Sequence, residues 1–206
     1  MFSKPVIIVG SGGHAKVVFD ALHLSGFKVL GFVTPDMDAG LDFCDKKILG
    51  ADSVIRQYSQ NEVNLANGIG SVPGENNRWN VANKMREWGY SFVTVIHPSA
   101  VVARDVILKE GVQLMAGVII QSKTVIGRDS IINTGAVIDH DCKIEENCHL
   151  APRTVCSGGV IMGKNVYFGT GSVAIERVSI GRNSLIAAGS VVYKNIPHNT
   201  RFIQKK

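Results

Sequence analysis

The sequence is poor in cysteine and in long apolar runs, and each shortage excludes a class of protein. The four cysteines among 206 residues form no CxxC pair, which argues against a disulfide framework and a zinc site. No apolar run approaches the roughly 20 residues that a membrane-spanning helix needs. The first residues, MFSKPVIIVGSGG, enter a strand and a glycine-rich turn without a signal-peptide cleavage region, so we expect a cytoplasmic protein.

A concentrated basic face is also missing. The net charge of +5 is spread along the chain, whereas a nucleic-acid-binding protein more often collects its cations on one face. The excess of positive charge suits anionic small ligands such as nucleotides. The cations near the end of the chain fit either a solvated tail or contact with a phosphate; they are Lys194, Arg201, Lys205 and Lys206.

A six-residue repeat of hydrophobic positions fills the second half of the chain. A small or β-branched residue follows four positions after each of them, from Ala100 to Ile196. A period of six fits neither a helix nor a simple amphipathic strand, but it is typical of a hexapeptide β-helix. The hydrophobic positions are Ile96, Val102, Leu108, Leu114, Ile120, Ile126, Ile132, Ile138, Ile144, Leu150, Cys156, Met162, Phe168, Ala174, Ile180, Ile186 and Val192.

The repeat predicts a left-handed parallel β-helix in which three faces close one coil in roughly 18 residues. The alternative, an all-β sandwich, has no reason to keep this phase. The residue after each core position often tolerates a tight or left-handed corner. Examples are Gly127, Asn133, Asp139, Gly163, Gly169 and Gly181. Cys142, Cys148 and Cys156 take inward positions, where they serve as small apolar residues.

Strands and helices alternate before residue 93, which predicts a small parallel, Rossmann-like α/β domain. We therefore divide the chain into an α/β domain (1–93), a β-helix (94–196) and a C-terminal tail (197–206). The expected strands are 5–9, 28–33, 63–70 and 91–95; a helix follows the turn at 10–16 and ends at Gly26, a loop covers 34–47, and further helices cover 51–59 and 76–88.

The glycine-rich turn after the first strand fits a phosphate-binding pattern. Gly10, Gly12 and Ala15 have the G-x-G-x-x-G/A spacing, and Asp36 follows the second strand. The short domain favours a nucleotide or nucleotide sugar over NAD, while a tight turn without a ligand stays open. His14 either reaches the ligand or caps the turn.

His140 is the candidate general base, because Asp139 and Asp141 flank it and a carboxylate can fix the imidazole tautomer. A solvated surface histidine is the alternative. Gly158 lies one predicted coil later and should stack above His140, where its N–H suits a developing oxyanion. His149 and the distant His97 do not complete a zinc cluster, and no metal is expected.

The sequence resembles the PglD/NeuD-like acyltransferases along essentially its whole length. The motifs that carry the resemblance are VGSGGHAK (9–16), GIG…NNR (68–78), HPSA (97–100) and NTGAVIDHDC (133–142). Within that family the chain is most similar to the bacterial nucleotide-sugar N-acetyltransferases that act on a UDP-linked 4-amino-4,6-dideoxy sugar. The resemblance implies acetyl-CoA as cosubstrate and a homotrimer with acetyl-CoA between neighbouring β-helices.

The resemblance also implies roles for individual residues. His140 matches the catalytic base, Asp141 the carboxylate that orients it, and Gly158 the amide that meets the thioester carbonyl. Asn133 matches a residue of the same site, and His149 a second histidine near the acetyl group. The nucleotide-sugar turn is matched by Gly10, Gly12, Gly13 and His14, and a nucleoside contact by Asp36.

Two departures and two alternatives accompany this interpretation. Some relatives have Glu beside the catalytic histidine where this chain has Asp, and the ending IPHNTRFIQKK lacks the common GxPAK motif, so the residues that hold the distal end of CoA are not assigned. O-acetylation of a sialic acid is one alternative function. A non-catalytic nucleotide-sugar-binding scaffold is the other.

Overall fold

The computed structural model describes residues 4–204, and the chain divides into two compact units between Pro98 and Ser99. We call these the first and the second unit. The elements of the first unit are β1 (Val6–Val9), α1 (Gly13–Leu24), β2 (Val29–Val33), β3 (Asp42–Phe43), β4 (Lys46–Gly50), a 3-10 helix (Asp52–Gln57), β5 (Asn64–Asn67), α2 (Asn77–Glu87) and β6 (Val95–Ile96).

A five-stranded sheet in the order β3-β4-β2-β1-β5 organises the first unit. β1 is buried along its whole length, as expected for a central strand covered on both faces. Strands β4, β2, β1 and β5 run parallel, and β3 pairs antiparallel with β4 at the edge. β1 lies between β2 on one side and β5 on the other, so the strand order reverses at β1. Such a reversal opens a crevice at the carboxyl ends of β1 and β5.

Two details of this sheet differ from the sequence prediction. The predicted loop at 34–47 contains β3 and the start of β4, joined by a turn in which Cys44 and Asp45 have φ of 49° and 56°. A left-handed turn without glycine gives little signal in the sequence. The expected strand at 91–95 is reduced to one bridge between Phe92 and Leu65, with β6 beginning only at Val95.

The second unit is a parallel β-helix of the hexapeptide type, as predicted. Its strands have two residues each and pair parallel with the strand one coil away, so that Ile138 lies between Ile120 and Cys156. The strands are β7 (Val101–Val102), β8 (Ile107–Leu108), β9 (Gln113–Leu114), β10 (Ile119–Ile120), β11 (Val125–Ile126), β12 (Ile131–Ile132), β13 (Val137–Ile138), β14 (Lys143–Ile144), β15 (His149–Leu150), β16 (Val155–Cys156), β17 (Ile161–Met162), β18 (Tyr167–Phe168), β19 (Val173–Ala174), β20 (Ser179–Ile180), β21 (Leu185–Ile186), β22 (Val191–Val192) and β23 (Arg201–Phe202).

These strands form three faces. Face 1 has the order β22-β19-β16-β13-β10-β7, face 2 has the order β20-β17-β14-β11-β8, and face 3 includes β23, β21, β18, β15, β12 and β9. The repeat positions from Leu114 to Val192 are buried and form one continuous core, with Val102 and Leu108 packed partly buried against it. Ile96, the first repeat position, is 38% exposed. Stacking therefore supplies the core that a single two-residue strand cannot form.

The corners turn at a different residue from the one we expected. Left-handed φ falls on the third residue after a core position, as at Asp141 (58°) and Asn147 (54°), not on the first. The glycines at the first position serve close approach instead. A Cβ on Gly127 would lie 2.4 Å from the carbonyl carbon of Glu145, and one on Gly181 would lie 2.4 Å from the amide nitrogen of His198.

The end of the chain leaves the six-residue phase but does not leave the β-helix. Ile196 pairs with Ile180 and Arg201 with Leu185, so the last coil is slightly shorter than the coils below it. Phe202 in β23 packs against the core. Lys205 and Lys206 lie outside the described residues, so the choice between a solvated tail and a phosphate contact is not tested for them.

An asparagine ladder runs along the corner between faces 2 and 3. The side-chain amide of Asn147 donates to Asn165 Oδ1 at 2.9 Å, Asn165 donates to Asn183 at 2.9 Å, and Asn183 donates to Asn199 at 3.0 Å. All four asparagines have left-handed φ between 54° and 59°. Asparagine suits this corner twice over, since it tolerates the left-handed region and its amide can bond one coil up and one coil down.

We expect Asn165→Ala to lower the free energy of unfolding by about 1–2 kcal/mol, because alanine is strained in the left-handed region and both ladder bonds are lost. Asn165→Gly loses the bonds without the strain and should cost less. Chemical denaturation of the two variants separates the contributions. Equal losses in both would show that the backbone conformation at this corner carries no strain.

Candidate active site

A cavity of about 530 Å³ lies in the first unit, at the crevice that the sheet topology predicts. Every residue that the sequence analysis assigned to the nucleotide sugar in this part of the chain lines it. They are Gly10, Gly12, Gly13, His14 and Asp36. Three lining groups were not foreseen as such: Asp52, Asn77 and the loop residues Gly68, Ile69 and Gly70. The glycine turn and the nucleoside candidate are therefore parts of one concave surface.

The glycine turn, residues 10–13, leaves space for a ligand beside its backbone. Gly10 needs its φ of +100°, and a Cβ there would lie 3.0 Å from Ile69 Cγ1. Gly12 and Gly13 meet nothing within 4 Å of an added Cβ, although both line the cavity. α1 starts at Gly13 with no acidic residue in its first turn, and within residues 4–204 no side chain caps it. The first turn of a helix, at the positive end of its dipole, suits an anion such as a diphosphate.

Asp36 lines the cavity and is held in place by Thr34. The buried Thr34 hydroxyl donates to Asp36 Oδ2 at 3.4 Å and accepts the Asp36 backbone N–H at 3.3 Å. A carboxylate just beyond the second parallel strand is the usual acceptor for ribose hydroxyls in folds of this topology. The cavity lining thus combines the glycine turn at the start of α1 with a carboxylate acceptor.

The histidine candidate of the second unit lies at the corner between β13 and β14, where Asp141 orients its ring. His140 Nδ1 is 2.7 Å from Asp141 Oδ2, and the His140 side chain is 61% exposed. Asp139 acts on the backbone instead, because its Oδ1 accepts the His140 N–H at 2.8 Å. The left-handed φ of Asp141 turns the chain so that adjacent residues can form this pair. Nε2 is then the ring nitrogen that faces outward.

The carboxylates raise the pKa of His140 above its ordinary value, mainly through the Asp141 hydrogen bond and then through the charge of Asp139. A proton on Nδ1, held by Asp141, leaves the lone pair of Nε2 free to accept a second proton. The raised pKa means that the imidazolium formed in that step is stabilised. This is the arrangement that a general base requires.

Gly158 stacks directly above this imidazole, one coil higher, as the repeat predicts. A Cβ on Gly158 would lie 2.7 Å from His140 Cε1 and 2.9 Å from Nε2. The two coils are joined here by the Gly159 N–H, which donates to the His140 carbonyl at 2.8 Å. Within residues 4–204 the Gly158 N–H donates no hydrogen bond. Only glycine leaves the ring in place, because any Cβ here would lie within 3 Å of two ring atoms.

Asn133 and His149 form a second pair at a different corner. Asn133 Nδ2 is 3.2 Å from His149 Nε2, and the ring of Tyr167 meets His149 edge-on with centroids 4.9 Å apart. His149 lies in β15 on face 3 and is 9% exposed, while Asn133 follows β12 on the same face. His140 follows β13 on face 1. The chain thus brings Asn133 and His149 together but sets them at another corner from His140.

Comparison with known proteins identifies the family. The PglD N-terminal domain matches residues 5–85, and the bacterial transferase hexapeptide (six repeats) matches residues 123–158. GDP-perosamine N-acetyltransferase from Caulobacter crescentus, solved as a histidine-to-alanine variant with CoA and GDP-perosamine, shares 38% identity with a TM-score of 0.87. That match covers 95% of this chain and 91% of the other. The chain belongs to the PglD-like hexapeptide-repeat acetyltransferases.

Two further matches differ in how much of the chain they cover. The acetyltransferase domain of PglB from Neisseria gonorrhoeae, solved with acetyl coenzyme A, is 25% identical with a TM-score of 0.88 and covers 96% of this PglD-like chain and 95% of its own. A Saccharomyces cerevisiae protein described as an acetyltransferase is 55% identical over 40 residues. The latter match spans only 19% of this chain and 20% of the yeast protein.

Two cysteines of this PglD-like protein donate hydrogen bonds within the β-helix. The Cys142 thiol donates to the Ser157 carbonyl at 3.3 Å and the Cys148 thiol to the Gly163 carbonyl at 3.1 Å, as the Thr124 hydroxyl does to the Asp139 carbonyl at 2.8 Å. Burial raises the pKa of Cys142, and raises that of Cys148 to about 12. Neither thiol is suited to form an acyl-enzyme.

Residues 4–204 contain neither a metal-binding cluster nor a membrane-spanning helix. No group of three or more histidine, cysteine, aspartate or glutamate side chains there could hold a metal ion. None of the helices in that range is long and apolar enough to cross a membrane.

We expect Asp141→Asn to shift the pH dependence of this PglD-like site. The Asp141 carboxylate favours the protonated imidazole, so its removal lowers the His140 pKa, and the acidic limb of kcat/KM moves to lower pH. The maximum rate should also fall, since an amide can hold the wrong tautomer. A pH profile of kcat/KM measures both effects, with Asp105→Asn as the control carboxylate two coils below. An unmoved acidic limb would remove Asp141 from the site.

Proposed function

We propose that this protein transfers the acetyl group of acetyl-CoA to the amine of a nucleotide-linked 4-amino-4,6-dideoxy sugar, with His140 as general base. The observation that carries the proposal is the arrangement of three groups: the Asp141 carboxylate on Nδ1, the exposed imidazole, and Gly158 stacked over the ring. The cavity at the glycine turn supports a nucleotide-linked acceptor. The relative solved with CoA and GDP-perosamine supports both substrate classes.

The reaction needs one proton acceptor and one oxyanion donor. The neutral sugar amine attacks the thioester carbonyl carbon, and His140 Nε2 takes the proton that the nitrogen loses. The Gly158 N–H donates to the carbonyl oxygen as negative charge develops there. When the intermediate collapses, the C–S bond breaks and the imidazolium returns its proton to the CoA sulfur. The product is the N-acetylated sugar, and no covalent enzyme intermediate or metal takes part.

Asn133 and His149 enter the proposal as a second part of the same site. They lie at another corner of their own coil, so they can act beside His140 only if a neighbouring subunit supplies them. We therefore include the homotrimer that the resemblance implies, with acetyl-CoA between adjacent β-helices. Sedimentation equilibrium on the purified chain checks the trimer independently of any assay.

The identity of the nucleotide is the finer part of the proposal. The sequence resemblance favoured a UDP-linked acceptor. The relative at 38% identity is described with GDP-perosamine, also a nucleotide-linked amino sugar, and this favours GDP. Besides Asp36 the cavity contains a second carboxylate, Asp52, and a carboxylate can accept the two donors on the edge of guanine. We give the GDP-linked sugar precedence and retain the UDP-linked sugar as the alternative.

A thiol-release assay tests the function directly. Wild-type protein is given acetyl-CoA with GDP-4-amino, UDP-4-amino and dTDP-4-amino sugars and with a sialic acid, and free CoA is measured. The expected result is release with a nucleotide-linked amine, and kcat/KM highest for the GDP-linked sugar. Release with the sialic acid alone would establish the O-acetyltransferase alternative. Nucleotide binding by calorimetry without any release would establish the non-catalytic scaffold.

A further inference from the structure

The GIG…NNR motif (68–78) has so far no role, and its arginine is buried. Arg78 is 4% exposed, although it lies in the first turn of α2, beside the cavity-lining Asn77. An arginine is rarely buried unless its guanidinium has defined partners, since an unsatisfied cation in the interior is costly. The burial of Arg78 therefore indicates a specific task.

Arg78 holds the loop that forms one wall of the cavity. Its Nη1 donates to the Asn67 carbonyl at 3.0 Å and to the Ile69 carbonyl at 2.7 Å. We call residues 67–70 the wall loop; Gly68, Ile69 and Gly70 in it line the cavity. One guanidinium nitrogen thus gathers two carbonyls from either side of Gly68, which fixes the bend of the loop just after β5.

Asn67 returns the contact and closes the network. The Asn67 amide donates to the Arg78 carbonyl at 3.1 Å, and its Oδ1 accepts the Ile69 N–H at 3.0 Å. Asn67 is 2% exposed, so these bonds are shielded from water. Because buried networks of this kind hold one geometry, a change at either residue should move the whole wall loop.

The wall loop in turn abuts the glycine turn. A Cβ on Gly68 would lie 2.8 Å from Ala15 Cβ and 2.8 Å from Ile8 Cγ2, and a Cβ on Gly10 would lie 3.2 Å from the Gly68 carbonyl carbon. A Cβ on Gly70 would meet His14 Cβ at 3.6 Å. The wall loop and the glycine turn are thus close enough at Gly68 and Gly10 that neither position has room for a Cβ, so a shift of the wall loop would reach Gly10 and His14.

We propose that Arg78 is a positioning residue for the nucleotide-linked substrate: it fixes the wall loop against the glycine turn and so sets the cavity to receive the diphosphate. This inference rests on the proposed function. It explains why the motif combines small residues in the loop with an arginine at its far end. Lysine is not equivalent to the guanidinium here, since the two N–H bonds of Nη1 lie in a fixed plane, whereas an ammonium on a flexible stem rotates freely.

The test compares Arg78→Lys with Arg56→Lys, an exposed arginine of the same unit that stacks on Trp88 away from the cavity. Calorimetry with GDP and UDP, and KM for the nucleotide sugar and for acetyl-CoA, are measured on the full-length variants. Arg78→Lys should weaken nucleotide binding and raise the KM for the sugar about tenfold or more, with the KM for acetyl-CoA unchanged. Arg56→Lys should match wild type in both.

Each outcome decides the matter. A lowered melting temperature and reduced kcat with both KM values unchanged would mean that Arg78 only stabilises the fold, and the inference would be wrong. If Arg78→Lys does not fold, Asn67→Ser removes both side-chain bonds of Asn67. This variant should likewise raise the KM for the nucleotide sugar and leave the KM for acetyl-CoA unchanged. A wild-type KM for the sugar in Asn67→Ser would overturn the inference. Failure of wild-type protein to bind either nucleotide would instead contradict the proposed function.

Discussion

His140→Ala is expected to lower kcat by roughly 10²–10⁴, because the variant has no group to take the proton from the attacking amine. Affinity for the nucleotide sugar and for acetyl-CoA should change little. The imidazole is 61% exposed, so its loss should not disturb the β-helix. Steady-state kinetics with calorimetry of both substrates separates the loss of chemistry from a loss of binding.

His23→Ala is the matched control, since His23 is an exposed histidine on α1 outside both candidate sites. It should retain wild-type kinetics. Turnover of His140→Ala within a few-fold of wild type would refute the general-base assignment. An equal rise in both KM values would place His140 in substrate binding instead.

Gly158→Ala should have an effect almost as large, and for a steric reason. The added methyl group would lie within 3 Å of two His140 ring atoms and cannot fit unless the imidazole turns away. A catalytic group displaced by about 1 Å can cost on the order of 10²-fold in rate, so we expect a loss of kcat of that size. The oxyanion donor is a backbone N–H and survives the substitution, which leaves displacement of the ring as the cause.

Glu176→Ala offers the comparison for Gly158→Ala, because Glu176 is exposed at the equivalent position one coil further up. It should leave kcat unchanged. The chemical shifts of His140 provide an independent readout: they should move in Gly158→Ala and stay constant in Glu176→Ala. An unperturbed ring in Gly158→Ala would contradict the stacking on which the proposed site is built.

The sequence was sufficient to predict the β-helix because the repeat is a direct image of the fold. Each core position from Leu114 to Val192 is buried. A coil length of roughly 18 residues was enough to place Gly158 over His140, where the structure has it. Periodicity of this kind needs no knowledge of distant contacts. That a flanking carboxylate would orient His140 followed from neighbouring residues, while the family resemblance singled out Asp141, whose carboxylate contacts the ring.

The rest depended on tertiary contacts that carry no local signal. β4 begins within a segment that reads as a polar loop, and it becomes a strand only because β2 pairs with it. Arg78 looks like a surface cation until α2 packs it against the carbonyls of Asn67 and Ile69. We expected Cys142 and Cys148 to serve only as small apolar core residues. Their thiols also donate hydrogen bonds to backbone carbonyls, as threonine and serine hydroxyls do in other coils.

The stacking of His140 and Gly158 also makes the active site sensitive to length in whole coils. The proposed base and the proposed oxyanion donor come from adjacent coils, separated by the roughly 4.8 Å between neighbouring strands. Adding or removing one whole coil after β19 would lengthen or shorten the prism and leave this pair intact. A whole coil inserted between Asp141 and Gly158 would double the separation of His140 and Gly158. A single inserted hexapeptide would move every later residue to another face of the β-helix. The protein can therefore vary in height above its catalytic corner, but not within it.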